Sequence, residues 1–531
     1  MIRANFITPE EAAAYIKDGM TVCPIGMTLV SASESILKAI EKAFLETGHP
    51  SDITLLHSCG QSDRKDGIQH FAHEGLVKRI VGSHWGLQPR WMEMIAGNQV
   101  EAYCLPQGQI AQLYRSMACG LPGKMSKVGL GTFVDPRYEG GKMNDRTKQL
   151  EDIVEILDYH GEEYMFYKEV PIDVCIIRGT ECDEMGNLTT DEEAMKLEVL
   201  AGVLAAKRYG GKVIAQVKRV VQTGTLHPKN VTVPGVFIDG IVVCENPDLD
   251  HRQTSSWVYD PSYCGQARVP QNAIDPLPMS VRKFIGRRAI EEVFPGCVVN
   301  LGTGIPNDVI GNISNEENMN DDIMITVESG IYGGVQAGGI DFGIGQNLYA
   351  MIGHHEQMDY YNGAGVDVTF MGFGEVDGEG NVNATKMGSR CTGCGGFIDI
   401  TQNAKKVVFC GTFTASGCEF EFTNHKLTIL KEGKIRKMVS RVAQYSFNGK
   451  LSRDKNQEVY IVTERAVFKL VSEGVMLIEI APGIDLRTQV LDLMDFEPII
   501  SRNLKVMDEN LFNQGPVGMK DKIMKKKKGG I

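Results

Sequence analysis

The acid best placed for chemistry in this 531-residue chain is Glu328. It closes the apolar run Ile323-Met-Ile-Thr-Val327 and is followed by Ser329, Gly330 and the pair Gly333-Gly334. A carboxylate at a buried strand end is costly unless it is paired or used, and strand ends in open α/β sheets are where ligands bind. The glycines would let a bulky ligand reach it; the alternative is a solvent-facing glutamate in a surface turn. Gly302-Thr303-Gly304 follows another apolar run, but Asn307 stands where a dinucleotide fingerprint needs its third glycine. Such a turn opening a helix can still offer backbone N–H groups to a phosphate or an oxyanion. The turn Pro106-Gln107-Gly108 carries an amide able to donate to a carboxylate oxygen, or is a plain surface turn. Cys391 and Cys394 form a C-x-x-C with no second pair and no local histidine pair, which argues against a metal. His84, His354 and His355 could serve as acid–base groups, but lone histidines are more often structural, and Tyr360-Tyr361 is more often packing than ligand contact. No P-loop, G-x-S-x-G or H-E-x-x-H motif is present.

The elements that must hold these residues alternate. Short β-branched runs at 53–57, 174–177, 212–217 and 368–371 read as buried strands, and 32–45 and 279–293 as helices. Ser31 or Ser33 can cap the first helix, and Gly48 lies just past its end. This is the pattern of an α/β protein. A repeat lies within it. Asp173-Val, Glu181, Asp183, Gly186 and Asn187 recur as Asp367-Val, Glu375, Asp377, Gly380 and Asn381, at one offset of 194 residues without a gap. A weaker echo pairs 18–26 with 295–302. The chain therefore divides into two similar halves, 1–265 and 280–520, joined by a linker at 266–279 within the Pro-, Ser- and Gln-rich stretch 261–280, and followed by a flexible basic tail, 521–531. Two related halves usually place a site in the crevice between them.

Composition narrows the class. The 55 basic and 67 acidic residues give a net charge of −12, which excludes a general nucleic-acid binder. Thirteen cysteines, odd in number and scattered, fit reduced thiols and a cytoplasmic location. No apolar stretch approaches the roughly 18 residues of a membrane span, so no membrane partner is expected. Glycine is over-used, 59 residues of 531, against about 7% in average proteins.

Taken in order along the chain, these segments resemble the class I coenzyme A transferases over about residues 5–520. Phe71-Ala-His-Glu-Gly75, Gly82-Ser-His-Trp85, Pro106-Gln-Gly108 and the segment from Gly129 to Arg137 match the N-terminal half of that family. Asn300-Leu-Gly-Thr-Gly-Ile-Pro306, Glu328-Ser-Gly330, Asn362-Gly-Ala-Gly365, Gly393-Cys-Gly-Gly-Phe397 and Glu479-Ile-Ala-Pro-Gly483 match the C-terminal half. The likeness is greatest to the single-chain propionate/acetate CoA-transferases. It implies two fused open α/β domains, the C-terminal one holding the nucleophile Glu328. It also implies transfer of CoA between short-chain carboxylates through a glutamyl–CoA thioester, with acyl-CoA and acids of the acetate, propionate and butyrate class as partners. By the same resemblance Gln107 and Asn381 (with Asn383 competing for that alignment) would contact the substrate or its oxyanion. Gly302, Thr303, Gly304, Gly395, Gly396 and Gly417 would line the CoA path. No cofactor beyond CoA is implied, and a homo-oligomer is expected by analogy. An acyl-CoA hydrolase and a non-catalytic sensor of acyl-CoA or sugar phosphate are the alternatives. The chain departs from the family pattern at Ile25-Gly26-Met27 and at Ala364, both expected where an acyl pocket is shaped, so the acid preference of relatives does not carry over.

Overall fold

A computed structural model describes residues 3–526. In the first half, seven strands of a nine-stranded sheet run parallel to one another, and the short strands Leu188–Thr189 and Val231–Val233 add antiparallel pairs. The seven are β1 (Thr21–Pro24), β2 (Ile53–Leu56), β3 (Val77–Gly82), β4 (Glu101–Cys104), β5 (Val174–Asp183), β6 (Lys212–Val221) and β7 (Gly240–Val243). Their spatial order is β7-β6-β5-β1-β2-β3-β4. The second half repeats the centre of this plan. Strands β8 (Val298–Leu301), β9 (Met324–Val327), β10 (Val368–Gly372), β11 (Lys406–Cys410) and β12 (Glu458–Val462) lie in the order β12-β11-β10-β8-β9, again all parallel. The first residues of β6 and β11 stand 194 residues apart, as do those of β5 and β10. The sequence repeat is thus a repeat of sheet position. Antiparallel strands extend the second sheet at both edges, Ile331–Tyr332 with Ala350–Met351 on one side and Ala466–Val471 with Gly474–Ile480 on the other.

The repeated Asp/Gly/Asn turn explains why those residue types recur. Asp183 Oδ1 accepts from the N–H groups of Met185 and Asn187, at 2.9 and 3.0 Å, and Asn187 Nδ2 donates back to Asp183 Oδ2 at 2.9 Å. Asp377 does the same with Glu379 and Asn381, both at 3.1 Å, and Asn381 Nδ2 donates back at 3.0 Å. The glycine before each asparagine takes a left-handed φ, +86° at Gly186 and +80° at Gly380, which disfavours any side chain there.

The helices that pack on or between these sheets include α1 (Glu34–Thr47), α2 (Gln107–Ala118), α3 (Val199–Arg208), α4 (Val281–Ile290), α5 (His354–Gly363) and α6 (Phe397–Asn403). Gly48 ends α1 in the left-handed conformation, as a C-terminal glycine should. Ser33 precedes α1 but does not cap it with its side chain; its hydroxyl donates instead to the Ile177 carbonyl, tying helix to sheet. The stretch 266–279 holds only a short 3-10 turn, Gln271–Ala273. The basic tail differs from expectation at its start: Met519–Met524 is helical, buries Met519 and Ile523, and pairs Lys522 with Glu291 at 2.5 Å. The end of the lysine run, from residue 527, lies outside the described residues. Among those described, no helix is long and apolar enough to cross a membrane.

Candidate active site

Parallel strands end together, and both sheets aim their C-terminal ends at one crevice. A cavity of about 540 Å³ lies there. From the first half it takes Met27 after β1, Cys59 and Gly60 after β2, His84 after β3 and Gln107 after β4; from the second, Gly302 after β8, Glu328 after β9 and Met371 and Gly372 at β10. This is the position where open α/β sheets bind ligands.

Glu328 follows β9 directly, and Gly330 turns the chain behind it with a φ of +101°. A side chain at Gly330 would strike the Ile352 carbonyl oxygen at 2.2 Å, so the glycine is required by both conformation and space. Ser329 pins the turn by donating to the Gly343 carbonyl at 2.6 Å. Glu328 itself is 6% exposed, and its Oε2 is buried without a partner among the described residues. Burial pushes its carboxyl up to about 7; hydrogen bonding from its own backbone and Asn300, and the charge of His354, offset only part of that.

Gln107 begins α2, and its backbone N–H donates to Gly395 O at 2.9 Å. The segment 392–396 of the second half threads between two loops of the first. Trp85 N–H donates to Thr392 O at 2.7 Å and Gly395 N–H to Ser83 O at 2.9 Å. Gly395 and Gly396 thereby come beside Gln107 and Glu328. A Cβ on Gly395 would stand 3.4 Å from Gln107 Oε1, and one on Gly396 would stand 3.7 Å from Glu328 Cγ. Side chains at these positions would fill the space a substrate needs. Gly302, Thr303 and Gly304 form the opposite lip, where Gly302 N–H donates to Phe370 O at 2.8 Å and Gly304 takes a φ of +85°.

Three expected residues lie elsewhere. Asn381 and Asn383 do not line the cavity. The Asn381 amide is consumed by Asp377 and by the Gly449 N–H, which it accepts at 2.9 Å. That of Asn383 is consumed by Glu375, the Lys386 carbonyl and the Thr385 N–H. Gly417, with a φ of +91°, sits in a turn away from the lining. Of the two departures from the family pattern, Met27 does line the cavity, whereas Ala364 caps the far end of α5 and does not.

Sequence reasoning missed the group behind Gln107. His354, read as structural, is fully buried at the start of α5. Its Nε2 stands 2.9 Å from the Gln107 side-chain amide nitrogen, and its Nδ1 stands 2.6 Å from Glu198 Oε2. Glu198 also accepts from the Ser58 hydroxyl. Nothing local in the sequence marks this chain, because its members come from four separate segments. His84, also read as structural, is half-buried at the cavity wall; burial, with the nearby Arg390, pushes it down to about 4, so it is neutral near pH 7.

Cys391 and Cys394 are free thiols, and Cys394 Sγ lies 3.6 Å from Cys104 Sγ across the two halves. Glu34, Asp66 and His70 bring potential ligand atoms within 4.8 Å of one another. They do so at the start of α1, where Glu34 accepts from Gly67 N–H and His70 is already paired with Glu34 and Glu41.

The chain matches the family model for coenzyme A transferase over residues 6–244. It is 44% identical over 529 residues to the caffeate CoA-transferase of Acetobacterium woodii, covering 98% of this chain and 100% of that one. It is 40% identical over 518 residues to the acetate CoA-transferase YdiF of Escherichia coli strain K12, covering 97% and 96%. The crystal structure of the acyl-CoA transferase YdiF from E. coli O157:H7, in a thioester complex with CoA, superposes with a TM-score of 0.91 over 97% of both chains at 38% identity. A nearly full-length likeness of this strength, over a fold whose two sheets meet at one acid-bearing cavity, establishes that the chain belongs to the coenzyme A transferases.

Proposed function

We infer that this enzyme moves CoA between short-chain carboxylates, acetate among them, by a ping-pong route through Glu328. The observation that carries this reading is a buried carboxylate with a free oxygen, on a strand end, in a cavity walled by glycines. Glu328 attacks the acyl-CoA carbonyl, and CoA leaves as the thiolate, giving an acyl–glutamyl anhydride. The thiolate then attacks the glutamyl carbonyl, and the original acid departs as its carboxylate, leaving glutamyl–CoA. A second carboxylate runs the same steps backward and leaves as its CoA ester. A carboxylate is a weak nucleophile, so positioning matters, and binding of the distant parts of CoA can supply it. Each tetrahedral intermediate carries an oxyanion. Gln107 and the backbone N–H groups of Thr303, Gly304 and Gly396 are the donors for it, those of Gly302 and Gly395 being already bonded to Phe370 and Ser83 carbonyls; such a donor is worth roughly 3 kcal/mol in comparable sites. Gly302 to Gly304 lie where the pantetheine or phosphates of CoA would pass. The reading needs CoA alone and no metal or organic cofactor. It treats 1–265 and 280–520 as the two functional halves, in a reducing cytoplasm that suits the thirteen free thiols.

Initial rates test this reading. With acetyl-CoA varied at several fixed propionate concentrations, double-reciprocal lines should be parallel. Intersecting lines would reject the ping-pong route. A panel of acceptors should favour two- to four-carbon acids, and a preference for an aromatic acid such as caffeate would reject the short-chain assignment.

A further inference from the structure

The buried chain behind Gln107 ends on the one side-chain amide that lines the cavity among the described residues. Glu198, 1% exposed, comes from the first half at the start of α3; His354 comes from the second half at the start of α5. A pair of ionisable groups in an apolar crevice between domains is expensive, and apolar packing would join the halves as well. Here each link has a defined sense. A carboxylate only accepts, so His354 Nδ1 must carry a proton toward Glu198. That leaves two arrangements at Nε2. A bare Nε2 accepts from the Gln107 NH₂, which leaves the amide one free N–H and turns its carbonyl oxygen outward. A protonated Nε2 donates to the Gln107 carbonyl oxygen instead, the amide is turned by 180°, and both of its N–H groups are released. A carbonyl oxygen facing a developing oxyanion would repel it, whereas two N–H groups would stabilise it.

We propose that His354, held by Glu198, is a positioning residue whose imidazolium grips the Gln107 carbonyl and keeps the amide N–H groups aimed at the reacting carbon. This rests on the reading of Glu328 as nucleophile. The charged groups facing His354 support the arrangement: Glu198 at α3, Glu328 after β9 and Asp399 on α6. His355, the next residue of its own helix, is held below the ordinary histidine range by burial and does not compete for the negative charge. Burial alone would depress His354, but these three carboxylates outweigh it and hold it above its ordinary value. The Ser58 hydroxyl, donating to Glu198, and the His354 backbone N–H, donating to Leu197 O at 3.2 Å, fix the geometry from both sides.

Glu198→Gln keeps the shape of the chain but removes the charge that favours the imidazolium. It should lower kcat about 100-fold, as loss of an oxyanion donor does, with KM for acetyl-CoA within twofold of wild type. His354→Gln places a permanent neutral donor near the Nε2 position. It should retain at least tenfold more activity than His354→Leu and should lose the alkaline fall-off that deprotonation of His354 gives the wild type. Nitrogen-15 spectra of histidine-labelled enzyme, with His354 identified by its absence from His354→Gln, should show both ring nitrogens protonated at pH 7. A neutral ring there, or a Glu198→Gln enzyme with unchanged kcat, would overturn the proposal. Formation of the glutamyl–CoA adduct by wild type is measured alongside: its absence would reject Glu328 itself, whereas its presence beside an unimpaired Glu198→Gln rejects only the role of His354.

Discussion

A carboxylate that attacks a thioester must be ionised at the moment of attack, yet the dry surroundings that sharpen its reactivity also favour its protonated form. On the proposed route Glu328 meets this conflict. Its carboxyl sits at about 7, raised by burial, with Oε2 free of any partner among the described residues. Because the anion is the reactive form, kcat/KM for acyl-CoA should rise tenfold per pH unit below about 7 and level off above it, until deprotonation of His354 at higher pH lowers it again. A profile flat from pH 5.5 to 8 would contradict the assignment. The residue was legible in the sequence because an acid that closes an apolar strand and runs into glycines is an anomaly with few explanations. Gln107 was legible only as an amide in a turn. His354 was legible only as one of several histidines more often structural, and Glu198 not at all, since a histidine reveals its partners only when the chain is folded around it.

At the scale of elements, the repeated Asp/Gly/Asn turn was read correctly as a repeat, but one of its members was taken into the site. Asn381 locks a turn: its amide bridges Asp377 and the Gly449 N–H. Asn187 plays the same part in the first half, bridging Asp183 and Gly235 N–H, but is less buried. Asn381→Ala should therefore cost about 2 kcal/mol by leaving buried groups unpaired, and Asn187→Ala about 1 kcal/mol. Neither should change kcat more than a few-fold. Thermal melts beside steady-state rates check this. A hundredfold loss of kcat in Asn381→Ala with an unshifted melt would return that residue to the acyl site. The strands were legible because their β-branched runs are short and bounded. The left-handed residues and cross-half hydrogen bonds that set the cavity shape were not, because they depend on contacts far apart in the chain.

At the scale of the whole molecule, the site exists only where the halves meet. Asp399 of the second half, fully buried, accepts from Gly108 N–H at 2.9 Å and Gln109 Nε2 at 2.7 Å in the first. Gln112 Nε2 reaches Asp359 at 2.7 Å, and Gly129 N–H reaches Gln402 at 2.7 Å. These polar links are satisfied only in the joined state, so the covalent connection should matter less than the interface. Cutting the chain after Ala273 and co-expressing both pieces, one tagged, should yield a co-purifying complex with activity within about tenfold of wild type. Pieces that purify separately as folded, monodisperse domains would contradict so interdependent an interface.

The central claim is that CoA becomes bonded to Glu328. Enzyme mixed with acetyl-CoA, quenched in acid and analysed by intact mass and peptide mapping, tests it most directly. Wild type should gain the mass of CoA less one water on the peptide containing Glu328, lose it on addition of propionate, and show no such gain as Glu328→Ala. A CoA adduct on another residue, or an equal one on Glu328→Ala, would contradict the account.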